Sequence, residues 1–210
     1  MQLGLCFSGG KDSSLAAFLL DGFYDVTLVT AHFGLTEDWE WARETAESLG
    51  FQFQRVEMER QVAEAAVDRM LEDGYPRNGI QQVHEHALET VATMDRSRNG
   101  DNPESANDGF DAVADGTRRD DRVPTISRAT AQSLEDRHEV DYVAPLTGFG
   151  RGAVDRLVDA TLEVEVGPSE DIQRSDYEAE LRALLADREG PEAVDDIFPD
   201  HEQTAVVSRR

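Results

Sequence analysis

Apolar positions cluster from the first residues of the chain: LGLCF (3–7) is a short hydrophobic run that stops at Ser8-Gly9-Gly10. A run of this length bounded by glycines reads as a buried strand. DSSLAAFLLDG (12–22) then places Leu15, Ala16, Leu19 and Leu20 at helical spacing and ends at Gly22, which predicts a helix. DVTLVTAHFG (25–34) reads as a second buried strand. TEDWEWARETAESLG (36–50) reads as a helix with an acidic first turn and a glycine stop, and FQFQRVEM (51–58) as an alternating strand. The opening pattern is β-α-β-α-β.

Helical spacing continues over about 59–73 and 79–96. FDAVADGT (110–117) and VDYVAPLTG (140–148) read as two more strands, with a helix near 125–138 between them and another over 151–161. Alternation of this kind predicts an α/β fold, a mainly parallel five-stranded sheet with helices on both faces. RSRNGDNPESANDG (96–109) is rich in Asn, Gly, Pro and Ser, so 97–109 is expected to be an exposed polar insertion without chemistry. Beyond 161, DYEAELRALLADREG (176–190) predicts a helix. The end, 198–210, is open between a short strand and irregular chain, and 162–210 as a whole is expected to be a C-terminal helical extension.

Composition sharpens this picture. The chain has 210 residues, 39% hydrophobic, so the formal charge of -24 belongs to the surface of a folded domain and does not signal wholesale disorder. Against 44 Asp+Glu stand 20 Lys+Arg, and Lys11 is the single lysine. Carboxylate repulsion is screened within roughly 3 Å at 1 M salt, so this balance favours a halophilic, archaeal source, and the acidity then weakens a nucleic-acid role without excluding one. One cysteine, Cys6, excludes intramolecular disulfides, CxxC zinc sites and an iron–sulfur cluster held by the protein's cysteines alone. No hydrophobic run approaches the ~20 residues of a membrane span and no charged signal-peptide head is seen, so a cytoplasmic protein with no membrane association is expected.

The chemistry is concentrated in FSGGKDSS (7–14). A glycine turn between a buried strand and a helix aims backbone N–H groups and the positive helix end at one point, which suits phosphate. Lys11 adds a compact ammonium and Ser8, Ser13 and Ser14 add hydroxyls. A Walker A loop fails twice here: Asp12 follows the lysine, and its first glycine would fall on Leu5. A dinucleotide-binding G-x-G-x-x-G fails because Gly9 and Gly10 are adjacent and position 13 is serine.

Ser8-Gly9-Gly10-Lys11-Asp12-Ser13, at the end of the first strand, closely resembles the SGGxDS signature of the PP-loop ATP pyrophosphatase superfamily, whose fold is the HUP, adenine nucleotide alpha hydrolase-like arrangement. The resemblance covers roughly 1–161 and implies an ATP-binding domain there. It also implies cleavage of ATP to AMP and pyrophosphate, with an acceptor oxygen attacking the α phosphate and a nucleophile then displacing AMP. ATP and Mg2+ are the implied cofactors. Asp12 is implied as a magnesium ligand or the holder of its water, with capping of the following helix as the alternative.

Three further regions are similar to the family pattern. In VTAHFG (29–34), Ala31 and His32 stand where the family contacts adenosine. In ADGTRRDD (114–121), Gly116 and Thr117 stand where a Gly-Thr pair approaches the α phosphate, with Asp120 and Asp121 toward the metal. There Arg118, Arg119 and Arg122 suggest an anionic ligand, Arg119 being the catalytic candidate; pairing with Asp120 and Asp121 is the alternative. Arg151, after PLTGFG, is a phosphate candidate because an arginine at a helix start needs an anion to balance it. His84 and His86 lie ~200° apart on a helix and cannot share a metal.

The function implied is an AMP-forming ligase or amidotransferase-like enzyme on an unidentified acceptor. The alternatives are a tRNA-modifying adenylation enzyme and a non-catalytic ATP-binding module. The acceptor is a small molecule or tRNA, and an ammonia- or sulfur-donating partner protein completes the reaction.

Overall fold

Apolar side chains alternate between the two faces of nearly every strand, and the fold follows from that. In the computed structural model, which describes residues 1–94, 109–168, 172, 175–199 and 202–210, Leu3 and Leu5 on β1 (Gln2–Cys6) and Val26 and Leu28 on β2 (Asp25–His32) point to one face. Val29 and Ala31 point to the other. Burial on both faces is what parallel strands with helical crossovers require. Leu3, Leu5 and Leu28 are fully buried, each worth about 1.5–3 kcal/mol of transfer free energy.

With β3 (Gln52–Glu57), β4 (Ala112–Ala114) and β5 (Asp141–Val143), these strands form one sheet in the order β3-β2-β1-β4-β5, every pair parallel. The expected α/β class, a parallel five-stranded sheet with helices on both faces, is the observed one. The helices α1 (Lys11–Leu20), α2 (Trp39–Leu49) and α6 (Arg151–Thr161) cover the face of Leu3 and Leu5. The opposite face is covered by α3 (Arg60–Asp73), α4 (Arg77–Ala92), α5 (Arg128–His138), α7 (Tyr177–Glu189) and α8 (Pro191–Ile197). Ser127 starts α5 by accepting the Thr130 N–H, which is why that helix begins later than its apolar pattern.

The chain leaves β1 toward β2 on one side and reaches β4 on the other, so β1 and β4 flank the switch point of the sheet. Crevices at the carboxyl ends of strands open at such points. β4 and β5 are only three residues long, and Pro145, which lacks an N–H, opens a 3-10 turn (Pro145–Gly148) where a longer strand is predicted.

The region after 161 departs from a helical extension. Besides α7 and α8 it contains β6 (Leu162–Pro168) and β7 (Glu202–Arg209), paired antiparallel in a ribbon separate from the main sheet. Leu162 and Val206 bury their side chains in the cluster around α1 and α6, so alternating Val164, Val166 and Val206 make strand where helical spacing is absent. The insertion expected at 97–109 lies, apart from Gly109, outside the described residues. No described helix is long and apolar enough to cross a membrane.

One carboxylate ties this region to the sheet. Glu180 of α7 is buried, and its oxygens accept the Phe33 N–H at 2.7 Å and the Leu35 N–H at 2.9 Å in the turn after β2. Glu180→Ala should strand both donors and cost roughly 3 kcal/mol, a Tm fall of about 6–12 °C for a chain of this size. An unchanged melting curve would mean that α7 docks by its leucines alone.

Candidate functional site

The Ser8–Gly10 turn links β1 to α1. Gly9 has φ +78°, a left-handed conformation that side-chain-bearing residues avoid. Gly10 is the N-cap of α1 and supplies no side-chain cap to the first-turn donors. Ser13 folds back, its hydroxyl donating to the Gly10 carbonyl at 3.2 Å and lying 3.5 Å from the Ser8 hydroxyl.

A second turn, Asp115-Gly116-Thr117, leaves β4 beside it. A Cβ on Gly116 would stand 2.7 Å from the Ser13 nitrogen and 2.9 Å from the Asp12 carbonyl carbon. Only glycine brings these two backbones so close, and the pair closes one rim of a cavity of 560 Å³. Ser8, Asp12, Ser13, Ala31, Gly116, Thr117, Arg118 and Asp121 line it. On its apolar side stand Val29, Ile80, Ala87 and Phe198.

A second cavity, of 510 Å³, lies beyond Asp12 and Arg118 and is lined by Lys11, Arg151, Thr204 and Arg210. Asp12 and Arg118 border both cavities. Lys11 Nζ pairs with Asp12 at 2.8 Å. Arg118 lies 3.7 Å from the other Asp12 oxygen and binds Asp121 through its Nη2 at 2.8 Å and its backbone N–H at 2.7 Å.

Other sequence candidates stand apart. Gly9, Gly10, Ser14, His32, Arg119 and Asp120 line neither cavity. Ser14 is fully buried beneath the loop. His32 turns its Nδ1 to the Gly34 N–H at 3.1 Å, and burial holds it below its ordinary pKa against the pull of Glu180. Arg119 is exposed and reaches toward Gly150, while Arg118 is the arginine that pairs with its acidic neighbours. Among the described residues no group of three or more His, Cys, Asp or Glu side chains is placed to hold a metal. Asp12 borders both cavities but is paired with Lys11, and Asp121 is held by Arg118, so a magnesium ion here would rely on phosphate and water ligands rather than on a protein-only cage.

Sequence reasoning missed the floor of the first cavity. Asp115 is 1% exposed, and each oxygen is fully used. Oδ1 accepts the Thr117 hydroxyl at 2.6 Å and the Thr117 N–H at 2.9 Å. Oδ2 lies 2.8 Å from His84 Nε2 on α4 and accepts the Tyr142 hydroxyl at 3.0 Å. His84 Nδ1 meets the Tyr177 hydroxyl on α7 at 2.8 Å. Burial pushes the Asp115 carboxyl up, but the His84 bond and charge and the Thr117 bonds outweigh that and hold it below its ordinary value. The one signal in the sequence is the acid that breaks the apolar run of β4.

The C-terminal segment also laces the loop. The Val206 N–H donates to the Gly9 carbonyl at 3.1 Å and the Ser175 N–H to that of Ser8 at 3.3 Å. The Lys11 N–H reaches the Thr204 hydroxyl at 3.4 Å, which puts a neutral oxygen on the first donor of α1.

Residues 1–208 match a family described as a family of unknown function, DUF7411. An uncharacterized protein of Methanocaldococcus jannaschii, MJ0690, is 40% identical over 209 residues, 99% of this chain and 96% of that protein. A crystal structure described as a predicted subunit of tRNA methyltransferase from Methanocaldococcus jannaschii superposes with a TM-score of 0.84 at 38% identity, covering 100% of this chain and 98% of the other. The U34-tRNA thiolase NcsA from Methanococcus maripaludis, at a TM-score of 0.44 and 14% identity over 76% of this chain and 56% of its own, is too distant for any inference about chemistry.

Two outcomes follow from this geometry. Gly116→Ala must push the turn off α1 or shift its backbone, so the Tm should fall by several degrees; an unchanged Tm would show that the two turns yield without cost. For Asp115 the folded-state pKa lies below the unfolded one. Its contribution to stability is therefore complete above the ordinary carboxylate range and is lost as pH falls through the depressed value. Asp115→Asn should be less stable than the parent at pH 7, with the difference shrinking in acid; a constant difference between pH 7 and pH 3 would refute the depressed pKa.

Proposed function

We propose that this chain, which belongs to the DUF7411 family, is an ATP-using enzyme of tRNA modification that forms AMP and pyrophosphate while adenylating an oxygen of its acceptor. The observation that carries the reading is the contact of Gly116 with the first turn of α1, which sets two backbone turns and the start of a helix around one point at the switch of a parallel sheet. Such a point favours a phosphate whose charge grows as pyrophosphate departs. The resemblance of Ser8–Ser13 to the PP-loop signature supports ATP as the nucleotide. The tRNA acceptor is supported by the description of the 38% identical structure that matches almost the full length of both chains.

In this reading Ser8 and Ser13, in the loop that Gly9 shapes, hold the phosphates, and Lys11 exchanges Asp12 for them. The apolar wall at Ala31, Ile80 and Phe198 takes the adenine. When bound, Mg2+ would share the charge on the departing pyrophosphate, with Asp12 as the protein carboxylate positioned to hold it. Arg118 sits at the junction of the two cavities, where it can turn from Asp121 to an anion.

Cys6 is the single cysteine, and burial followed by the charge of Asp115 pushes its thiol far up. A protonated, inert thiol does not carry sulfur, so the group that displaces AMP comes from outside, as free donor or from a partner protein. The charge of -24 with one lysine supports a high-salt cytoplasm, although the named relatives come from a methanogen.

The test uses ATP labelled at the α phosphate with magnesium, in dilute buffer and in molar potassium chloride, with and without unmodified archaeal tRNA transcripts. AMP and pyrophosphate should form, and tRNA should raise the rate at least tenfold. Lys11→Ala should lower the rate about 100-fold with little change in Tm, because its ion pair with Asp12 is partly exposed and contributes little to folding. ADP as the sole product would reject the AMP-forming reading; AMP formation indifferent to tRNA would return the acceptor to a small molecule.

A further inference from the structure

We infer that Tyr177, His84 and Asp115 form a proton relay that takes the proton of the attacking acceptor, a role that rests on the AMP-forming reading above. The three groups come from α7, α4 and the end of β4 and all line the 560 Å³ cavity. Asp115 abuts the phosphate side of that cavity directly, since its Oδ1 accepts both donors of Thr117 in the turn that touches α1.

Hydrogen-bond chemistry orders the chain. The ionised Asp115 has no proton to offer, so at the 2.8 Å contact His84 Nε2 carries the hydrogen. Burial, and then the charges of the nearby carboxylates Asp176 and Asp115, keep the Tyr177 phenol protonated. Its hydroxyl, 2.8 Å from Nδ1, is therefore placed to donate to the imidazole. Tyr142 gives its own hydroxyl hydrogen to Asp115 at 3.0 Å, which fixes the carboxylate without competing for His84. This Tyr–His–Asp order reproduces the logic by which a base is oriented and its cation stabilised by a buried acid.

The step balances. As the acceptor oxygen forms its bond to the α phosphorus, its proton passes to the Tyr177 hydroxyl oxygen, and the tyrosine's own proton passes to His84 Nδ1. The bond from the α phosphorus to the bridging oxygen breaks and its electron pair leaves on pyrophosphate. The imidazolium so formed lies against ionised Asp115 and later returns its proton to solvent. No phenolate forms, in keeping with a phenol whose pKa is raised. Tyr177 is the group that meets the acceptor; His84 and Asp115 act through it as positioning residues. The titratable groups facing the relay are Asp115, Tyr142, Cys6, Asp176 and Glu178.

Water serves as the acceptor in the test. AMP release from ATP and magnesium is followed between pH 5.5 and 9 for the full chain and for Tyr177→Phe and His84→Gln, alongside affinity for a non-hydrolysable α,β-methylene ATP analogue and thermal melts. Tyr177→Phe removes one oxygen and keeps the packed ring, so it remains informative if His84→Gln folds poorly. Both variants should bind the analogue within about three-fold of the parent and lose 30-fold or more in kcat. Parental kcat and pH profile in Tyr177→Phe, or a loss fully matched by weaker analogue binding, would overturn the relay alone. A parent chain that binds the analogue and yields no AMP would overturn the AMP-forming reading and the relay with it.

Discussion

The close approach of Gly116 to the first turn of α1 is the constraint on which the site depends. Two chain segments separated by about a hundred residues arrive at neighbouring strand ends, and a single Cβ would hold them apart. The parallel order makes the meeting possible, because β1 and β4 are adjacent while their following segments turn to opposite sides. The glycine then makes it tight. Everything that faces the first cavity from the loop, Ser8, Asp12 and Ser13 on one side and Thr117 and Arg118 on the other, takes its position from that contact.

Beneath it lies a carboxylate that could not be buried on its own. An ionised group taken from water costs several kcal/mol unless its lone pairs are met, and Asp115 meets them with groups from the turn after β4, from β5 and from α4. His84 then passes the connection to Tyr177 on α7. Glu180, one turn farther along α7, binds the segment after β2. The C-terminal segment is thus held to the sheet by polar bonds of fixed direction as well as by its leucines. With Val206 and Ser175 bound to the loop carbonyls, it forms part of the site wall rather than an appendage.

What could be read in the sequence was local. The run from Ser8 to Ser13 and the turn at Gly116 carry their geometry in consecutive residues, and the parallel sheet follows from alternation of short apolar runs with helices, whereas the strand order does not. The cavity floor carries no such signal. Asp115, His84 and Tyr177 are 31 and 93 residues apart in successive pairs, and pairing at that distance is set by tertiary packing. His84 and His86 do diverge, as helical geometry requires, but that argument addressed a metal and left open what each ring meets: Asp115 for one and Glu59 for the other. The ribbon of β6 and β7 was obscured for a related reason, since each strand's partner lies about forty residues away. The arginine cluster divided in a way composition could not resolve, with Arg118 turned into the acids and Arg119 out to solvent.

In the proposed reading, the charges at the loop let a chain of net charge -24 take a phosphate without a standing basic patch. Lys11 rests on Asp12, and Arg118 rests on Asp121 and near Asp12, so each cation is neutralised where it stands. An arriving phosphate competes with carboxylates already present, and the exchange transfers each cation between anions of similar charge, so its net energy is a small difference between two large Coulomb terms. Salt weakens both terms together. The backbone N–H groups at the start of α1, which Gly10 leaves without a side-chain cap, differ in this respect, because a backbone dipole carries no counter-ion and its aim is fixed by the helix. The part of the recognition that survives high ionic strength therefore lies in the backbone of the loop, whose shape Gly9 and Gly116 set, while Lys11 and Arg118 follow the charge as it moves.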